Sequence, residues 1–333
     1  MGATYSSIYQ GREAVCATKH RKEQIIGPRM AHLGLRMRVP LDLDTDALET
    51  FLGEVPRLGS PHEVVVRKAR LGMVSTGLPL GLGNEGSFGA DPAVPFVAGD
   101  HEILAFVDDE LGIQVTEELF SSGTNFACQV VAGIDDCRDF LRHARFPSHG
   151  LIFRPNAGSP PWPLLAKGIA SWTEFVDAVG RCAQASSDGL AHVETDMRAH
   201  VNPMRQRVIG ILTERLARRL AARCPSCGAP GWGLVGVVRG LPCEVCGGAT
   251  GWVREEIHGC PRSQFKETIP RSDGIRVANA APCPWCNHQA VGRPDGHWLL
   301  SPGGGAGGIC CRAGGPWNQE LDEDMDVPVT QRS

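Results

Sequence analysis

The stretch HVETDMRAHVNPMR, residues 192–205, decides how this chain is organised, because it joins an α/β body to a cysteine-rich region. Its first half alternates between apolar and polar residues with the period of two that is typical of a β-strand. One face of that strand would carry four polar side chains: His192, Glu194, Asp196 and Arg198. Such a face indicates a ligand site, whereas the simpler interpretation is a solvated edge strand or a structural cluster of ion pairs.

The second half of the stretch predicts the start of a helix. Asn202 has the chemistry of an N-cap and Pro203 that of a first helical residue. The predicted helix runs over 203–223 and is basic, since seven arginines lie between Glu194 and Arg223. Two carboxylates, a guanidinium and a helix N-terminus could together hold a metal ion and a phosphate.

The body before this stretch alternates strand-like and helical patterns, which predicts an α/β fold with a mixed sheet and flanking helices. Two capping boxes, SPHE at 60–63 and SWTE at 171–174, predict two of the helices. The expected organisation has four parts: an α/β domain over 1–202, a connecting basic helix over 203–223, a zinc-ribbon module over 224–290 and a disordered tail over 291–333.

Two further segments could bind a ligand. The turn after the first predicted strand contains Thr18 and Lys19, which could bind phosphate, although lysines at strand ends are commonly just solvated. Five glycines between Gly77 and Gly89 predict a turn-rich loop whose backbone can approach a ligand closely. Glu85 in that loop is either a metal or substrate ligand or an ordinary turn residue.

The cysteines give the most specific pattern in the chain. Two Cys-x2-Cys pairs separated by fifteen residues predict one tetrahedral zinc site of a zinc ribbon, made by Cys224, Cys227, Cys243 and Cys246. A second set has only three cysteines, because Ser263 stands where a fourth is expected: Cys260, Cys283 and Cys286. This possible second zinc site needs another donor, for which His258 and His288 are the nearest candidates, and it could equally use water or be empty.

Composition and charge set wider bounds. The 333 residues are 42% hydrophobic and 21% charged, as in an ordinary soluble protein, and the net charge of -4 gives no general reason to expect a nucleic acid or a membrane as partner. Thirteen cysteines without a signal peptide or a spanning segment indicate a cytoplasmic protein that binds metal rather than forming disulfides. The oligomeric state is left open.

The sequence resembles an uncharacterised bacterial family defined only as a domain of unknown function. The resemblance covers most of the chain and rests on short motifs: TKH at 18–20, EGSFG at 85–89, TN at 124–125, RPN at 154–156, KGI at 167–169, ETDMRA at 194–199 and NP at 202–203. The family pattern has a complete Cys-x2-Cys where this chain has Cys260 and Ser263. The resemblance implies no activity.

The first half also resembles the inosine/xanthosine triphosphate pyrophosphatases in the order of its motifs. These are an early strand ending in Ala-Thr, a nearby Lys and Glu, a helix ending in Lys-Ala and an acidic Gly-Ser loop. In those enzymes the early turn grips triphosphate and the acidic loop holds magnesium. Here His20 replaces an asparagine and Asn84-Glu85 replaces paired aspartates.

These observations favour a phosphohydrolase or phosphoryl-transfer enzyme that uses magnesium or manganese and acts on a nucleotide or nucleic-acid phosphate. The candidate catalytic residues are Glu85, Glu194, Asp196 and Lys19, of which the three acids would hold the metal. The candidate phosphate-binding residues are Thr18, Lys167, Arg198 and Arg205. The alternative is a protein without catalysis, whose zinc ribbon binds nucleic acid or another protein.

Overall fold

The computed structural model describes residues 7–18, 20–40, 59–90, 97–158, 162 and 165–287. The strands are β1 (Glu13–Ala17), β2 (Arg36–Arg38), β3 (Leu80–Ala90), β4 (Ala98–Asp108), β5 (Ile113–Ser121), β6 (Cys128–Val131), β7 (Leu151–Pro155), β8 (Ala166–Ile169), β9 (Ala191–Thr195), β10 (Gly233–Arg239), β11 (Val253–Gly259) and β12 (Lys266–Pro270). The helices are α1 (Glu23–Met30), α2 (Pro61–Thr76), α3 (Arg138–Ala144), α4 (Trp172–Ala185) and α5 (Pro203–Ala221).

A five-stranded sheet forms the first lobe, with the strand order β2-β1-β3-β4-β5. Strand β1 is parallel to both of its neighbours, whereas β3, β4 and β5 are joined antiparallel. Helix α2 packs on one face of this sheet, and α1 and α5 pack on the other. The predicted mixed sheet with flanking helices is confirmed.

Strand β3 corrects the prediction of a glycine-rich loop over 77–89. Its glycines serve close packing, because a Cβ at Gly83 would collide with the carbonyl oxygen of Val65 on α2. A Cβ at Gly81 would likewise press against Met73 on the same helix. The glycines therefore let a helix lie unusually close to the strand, which a composition-based prediction of a loop does not anticipate.

Helix α5 begins as predicted, with the side chain of Asn202 accepting a hydrogen bond from the backbone N–H of Arg205 at 3.0 Å and with Pro203 in the first turn. It is not a free connector between domains. Its apolar row lies in the core of the first lobe through four buried residues: Ile209, Leu212, Leu216 and Leu220. The chain thus leaves the first lobe after β5 and returns to it with α5.

The second lobe lies between β5 and α5 in the sequence. Its four-stranded antiparallel sheet has the order β6-β9-β7-β8 and packs one face against α3 and α4. The region predicted as one α/β domain therefore contains two sheets with separate cores. Hydrogen bonds join the lobes where β9 leads into α5, including one from Asn202 to Asn125 at 3.0 Å.

The cysteine module follows α5 and comprises residues 222–287. Its three-stranded antiparallel sheet has the order β10-β11-β12, and tight cysteine turns flank these strands. Within the described ranges, no helix has both the length and the apolar composition that a membrane span requires.

Candidate functional site

A group of buried ionisable residues lies in the first lobe at the carboxyl end of β1. We call it the charged cluster, and it comprises Lys22, Lys68, Glu85, Asp100, Glu102 and Arg205. Strand β1 ends at Ala17, opposite Gly83, so β3 extends beyond it toward Glu85. The carboxyl ends of parallel strands are the usual place for ligands in α/β sheets.

The ion pair between Glu102 and Arg205 is the centre of the charged cluster. Both side chains are buried, and Arg205 Nε donates to Glu102 Oε1 at 2.6 Å. Arg205 Nη1 donates to the backbone oxygen of Met197 at 2.5 Å, which connects the cluster to the segment leaving the second lobe. The Asn84 amide donates to Glu102 Oε2 at 2.9 Å. Glu102 is therefore held on both oxygens.

Two neighbours shape the space around Arg205. Its guanidinium carbon lies 4.9 Å from the centroid of the Phe88 ring, within the range of a cation–π interaction. A Cβ at Gly86 would collide with Arg205 Nη2 and Glu102 Oε1. A side chain at position 86 would therefore have to displace one member of this ion pair.

Asp100 is the member of the cluster with no donor to satisfy it. It lies two residues before Glu102 on β4 and is 1% exposed. Neither of its oxygens accepts a hydrogen bond within the described part of the chain. Burial, and then the charge of Glu102, raises the pKa of Asp100 to about 8. Two adjacent carboxylates can hydrogen-bond only through a shared proton, so this pair has the chemistry to hold a proton or a cation.

The remaining members add two cations and one acid. Lys68 on α2 forms a close ion pair with Glu85 on β3. Lys22 at the start of α1 is buried, and this burial, followed by the nearby charge of Arg205, lowers the pKa of Lys22 to about 8. The same ammonium interacts electrostatically with Glu102 and Glu85. Perturbed, buried titratable groups of this kind concentrate at functional sites.

The three acids predicted to hold one metal ion do not come together. Among the described residues, Glu85, Glu194 and Asp196 form no group whose ligand atoms lie within 4.8 Å of one another. Asp196 is fully buried and bound by Arg198, with Nε–Oδ1 at 2.9 Å and Nη2–Oδ2 at 2.5 Å. Both of its oxygens therefore accept hydrogen bonds from Arg198 within the same segment.

Glu194 belongs to a different set of side chains, on the face of the second sheet that α3 and α4 leave uncovered. Its Oε2 lies 3.6 Å from Nε2 of the buried His192, and its Oε1 has no hydrogen-bond partner in the described residues. His192 also forms a hydrogen bond with Cys128. Burial lowers the pKa of His192, but the hydrogen bonds to Cys128 and Glu194 raise it, and the net pKa is raised. Sequence reasoning missed Cys128.

The predicted phosphate-binding residues are dispersed. Lys19 lies outside the described residues, and the hydroxyl of Thr18 accepts a weak hydrogen bond from the backbone of His20 at 3.4 Å. Lys167 lies opposite Ile152 in the second sheet. Of this set, the structure places only Arg205 in the charged cluster, where it pairs with an acid.

The cysteines form two groups, and the grouping differs from the predicted one. Cys243 and Cys246 meet Cys283 and Cys286, so that one site has four sulfurs. Cys224 and Cys227 meet Cys260 instead. Along the chain, the pair Cys243 and Cys246 lies between Cys227 and its partner Cys260. The two groups are therefore interleaved.

Sulfur–sulfur distances in both groups suit a tetrahedral metal rather than disulfides. With Zn–S bonds of about 2.3 Å, the edge of a sulfur tetrahedron is about 3.8 Å. Cys243 Sγ lies 3.9 Å from Cys286 Sγ, and Cys246 Sγ lies 3.5 Å from Cys283 Sγ. Both groups could hold a metal ion such as zinc.

The predicted histidine donors do not complete the three-cysteine group. His258 Nε2 lies 3.1 Å from Glu256 Oε2 on the same strand, so the ring is already bonded to a carboxylate. His288 lies outside the described residues. Instead, Ser263 Oγ lies 3.7 Å from Cys224 Sγ.

A family model matches residues 68–288, more than half of the chain. The chain belongs to DUF6671, a domain of unknown function. No curated protein and no solved structure matches it. The predicted membership of an uncharacterised family is thus confirmed. The matched region of this DUF6671 protein includes five members of the charged cluster and all seven described cysteines of the module, but it begins after Lys22.

The most important residues that sequence reasoning missed in this DUF6671 protein are Asp100 and Glu102. Both precede an apolar run and occupy alternate positions of β4, so one face of the strand carries two acids. This is the same pattern that drew attention to Glu194 and Asp196. The pattern shows which residues share a face, and it does not show which basic residue reaches that face.

Proposed function

We propose that this protein is a divalent-cation-dependent phosphohydrolase or phosphoryl-transfer enzyme, with its reaction centre at the charged cluster. The observation that carries the proposal is Asp100, a buried carboxyl whose oxygens have no donor among the described residues and which lies beside a second carboxyl. Replacing the proton that this pair needs by a cation would satisfy both groups at neutral pH.

The chemistry of the donors fits magnesium or manganese. Hard oxygen donors suit both ions, and magnesium in particular commonly binds one or two carboxylates and keeps several water molecules. Asp100 and Glu102 would hold the ion, so the three acids proposed from the sequence are replaced in this role. A bound cation would polarise a phosphate and lower the pKa of a water molecule.

Of the basic residues in the cluster, one would bind the phosphate and two would hold carboxylates in place. Lys22 would present its ammonium to phosphate oxygens and could lose its proton near pH 8, given its lowered pKa. Arg205 fixes Glu102 through the 2.6 Å ion pair and so acts as a positioning residue. Lys68 holds Glu85 in the same way on the opposite face of β3.

A nucleotide as substrate is supported by the sequence resemblance alone. The segment from Thr18 to His20 corresponds in order to the turn that grips triphosphate in the inosine/xanthosine triphosphate pyrophosphatases. It leads directly into Lys22, at the edge of the charged cluster. Nucleoside triphosphates are therefore the first compounds to test, followed by other nucleotides and 5′-phosphorylated oligonucleotides.

The test measures manganese binding by calorimetry and phosphate or pyrophosphate release with the full chain. We expect Asp100→Asn and Glu102→Gln each to weaken manganese binding at least about tenfold and to remove cation-dependent release. Glu118→Gln is the matched control, since Glu118 lies on β5 of the same sheet and bonds to His101 and His62 near the surface. Unchanged manganese affinity in the two cluster variants would refute the cation site, and absence of release from every phosphate compound would refute the enzyme.

A further inference from the structure

The turn at residues 260–263 has the backbone of a metal-binding cysteine turn although its last residue is serine. The Cys260 N–H donates to the carbonyl of Phe265 at 2.9 Å, as the Cys224 N–H does to that of Ala229 at 2.8 Å. The N–H of Ser263 points at Cys260 Sγ at 3.3 Å, which is the arrangement that stabilises a thiolate ligand. The backbone therefore places Ser263 where a fourth sulfur would be.

The residue after Ser263 supports this interpretation. Gly228 and Gly247 follow the first two Cys-x2-Cys pairs with φ values of 72° and 70°. Gln264 follows Ser263 with φ of 59°, in the same left-handed region. A non-glycine residue adopts that conformation at an energetic cost, so the surrounding turn must enforce it.

The distances around the site fit a tetrahedron with one oxygen vertex. Cys227 Sγ lies 3.6 Å from Cys260 Sγ, close to the sulfur–sulfur edge of about 3.8 Å expected around zinc. Ser263 Oγ lies 3.7 Å from Cys224 Sγ, near the slightly shorter sulfur–oxygen edge. Cys224 and Cys260 are buried, and Trp232 packs against them.

We propose that Cys224, Cys227 and Cys260 bind a zinc ion whose fourth position is an exchangeable oxygen, supplied by Ser263 Oγ or by a water molecule that it holds. A neutral hydroxyl is a weaker zinc donor than a thiolate, so this ion is held less tightly than the one bound by four cysteines. The fourth position can accept an incoming thiolate or a chelator, which gives the module one stable site and one exchangeable site. This inference is independent of the proposed function.

The experiment uses the full chain purified with zinc and follows the transfer of zinc to a coloured chelator. We expect two zinc ions per chain, released in two separate phases. Ser263→Cys should slow the faster phase by at least about tenfold, since it restores a fourth thiolate. Ser272→Cys is the matched control, because it adds a thiol to the same module at a surface position and should leave both phases unchanged.

Cobalt substitution gives a second measurement that does not depend on release rates. Replacing the oxygen by sulfur in Ser263→Cys should increase the thiolate-to-cobalt charge-transfer absorption, whereas Ser272→Cys should not. A wild-type chain that holds a single zinc ion would overturn the proposal. So would two ions released at one common rate that Ser263→Cys does not change.

Discussion

Replacing Arg205 by alanine removes the partner of a fully buried acid. In the native chain, Glu102 accepts hydrogen bonds from Arg205 at 2.6 Å and from Asn84 at 2.9 Å. Among the described residues, the variant would leave its carboxylate with one hydrogen bond, from the neutral Asn84 amide, next to the carboxyl of Asp100 and with only the charge of Lys22 to offset its own. It would also leave the backbone oxygen of Met197 without the donor that Arg205 supplies at 2.5 Å.

The size of the effect follows from burial. Breaking a buried ion pair by removing one partner costs about 3–5 kcal/mol, because it leaves an uncompensated charge. For a folded unit of roughly 200 residues, each kcal/mol lowers the melting temperature by about 2–4 °C. Arg205→Ala should therefore melt roughly 6–20 °C below the wild type. A second substitution, Glu102→Gln, should return part of this loss, because the orphaned charge is then gone.

The assay is thermal unfolding for the melting temperature and urea unfolding for the free energy, both followed by circular dichroism, with wild type, both single variants and the double variant compared as a cycle. Arg181→Ala is the control, since Arg181 pairs with Asp177 at the surface at 3.3 Å and should cost only about 0.3–0.5 kcal/mol. If Arg205→Ala unfolds at the same urea concentration as Arg181→Ala, then Glu102 is solvated and the charged cluster is not a buried site.

Two further predictions concern Asp100 and the cysteines. Because the pKa of Asp100 is raised to about 8, the folded state binds a proton between about pH 4 and 8 that the unfolded state has released. The measurement compares the free energies of unfolding of the wild type and Asp100→Asn without added divalent cation. The wild-type value should fall relative to the variant as the pH rises through this window, and the difference should level off above it. A difference that stays constant with pH would contradict the burial of that carboxyl. The interleaved grouping predicts that the double variant Cys243→Ser/Cys283→Ser loses one zinc ion and keeps the other, measured by elemental analysis, whereas sequential sites would lose both.

Local chemistry made the helix starts predictable. Ser60 and Glu63 form the predicted capping box, with the Ser60 N–H donating to Glu63 Oε2 at 2.8 Å. Asn202 and Pro203 begin α5 as predicted. These signals involve residues within four positions of one another, so no knowledge of the rest of the fold is needed to interpret them.

The charged cluster could not be predicted because its contacts are distant in sequence. Glu102 and Arg205 are 103 residues apart, and their pairing depends on α5 returning to the first lobe. The glycines of β3 indicated a loop because their purpose, the close approach of α2 and the space for Arg205, exists only in three dimensions. Alternation alone therefore selected Glu194 and Asp196, where Arg198 satisfies one acid locally.

The cysteine spacing identified ligands without identifying their partners. All seven cysteines proposed as ligands lie in the two groups, yet the fifteen-residue spacing that assigned Cys224, Cys227, Cys243 and Cys246 to one site predicted the wrong grouping. The strand pairing of β10, β11 and β12 decides the grouping, because this sheet brings Cys260 back to the first pair.

The interleaved cysteine groups give the module an unusual dependence on chain continuity. A cut anywhere between Cys246 and Cys260 would fall inside both of the loops that bound metal would close, one spanning Cys227 to Cys260 and the other Cys246 to Cys283. With both ions in place, the two pieces would stay together. If each site used only neighbouring cysteine pairs, the same cut would separate the module into two independent fragments. The same order delays assembly during synthesis, because neither site can close until the ribosome has passed Cys260. The group of Cys224, Cys227 and Cys260 is then complete first, and the group of four cysteines only after Cys286.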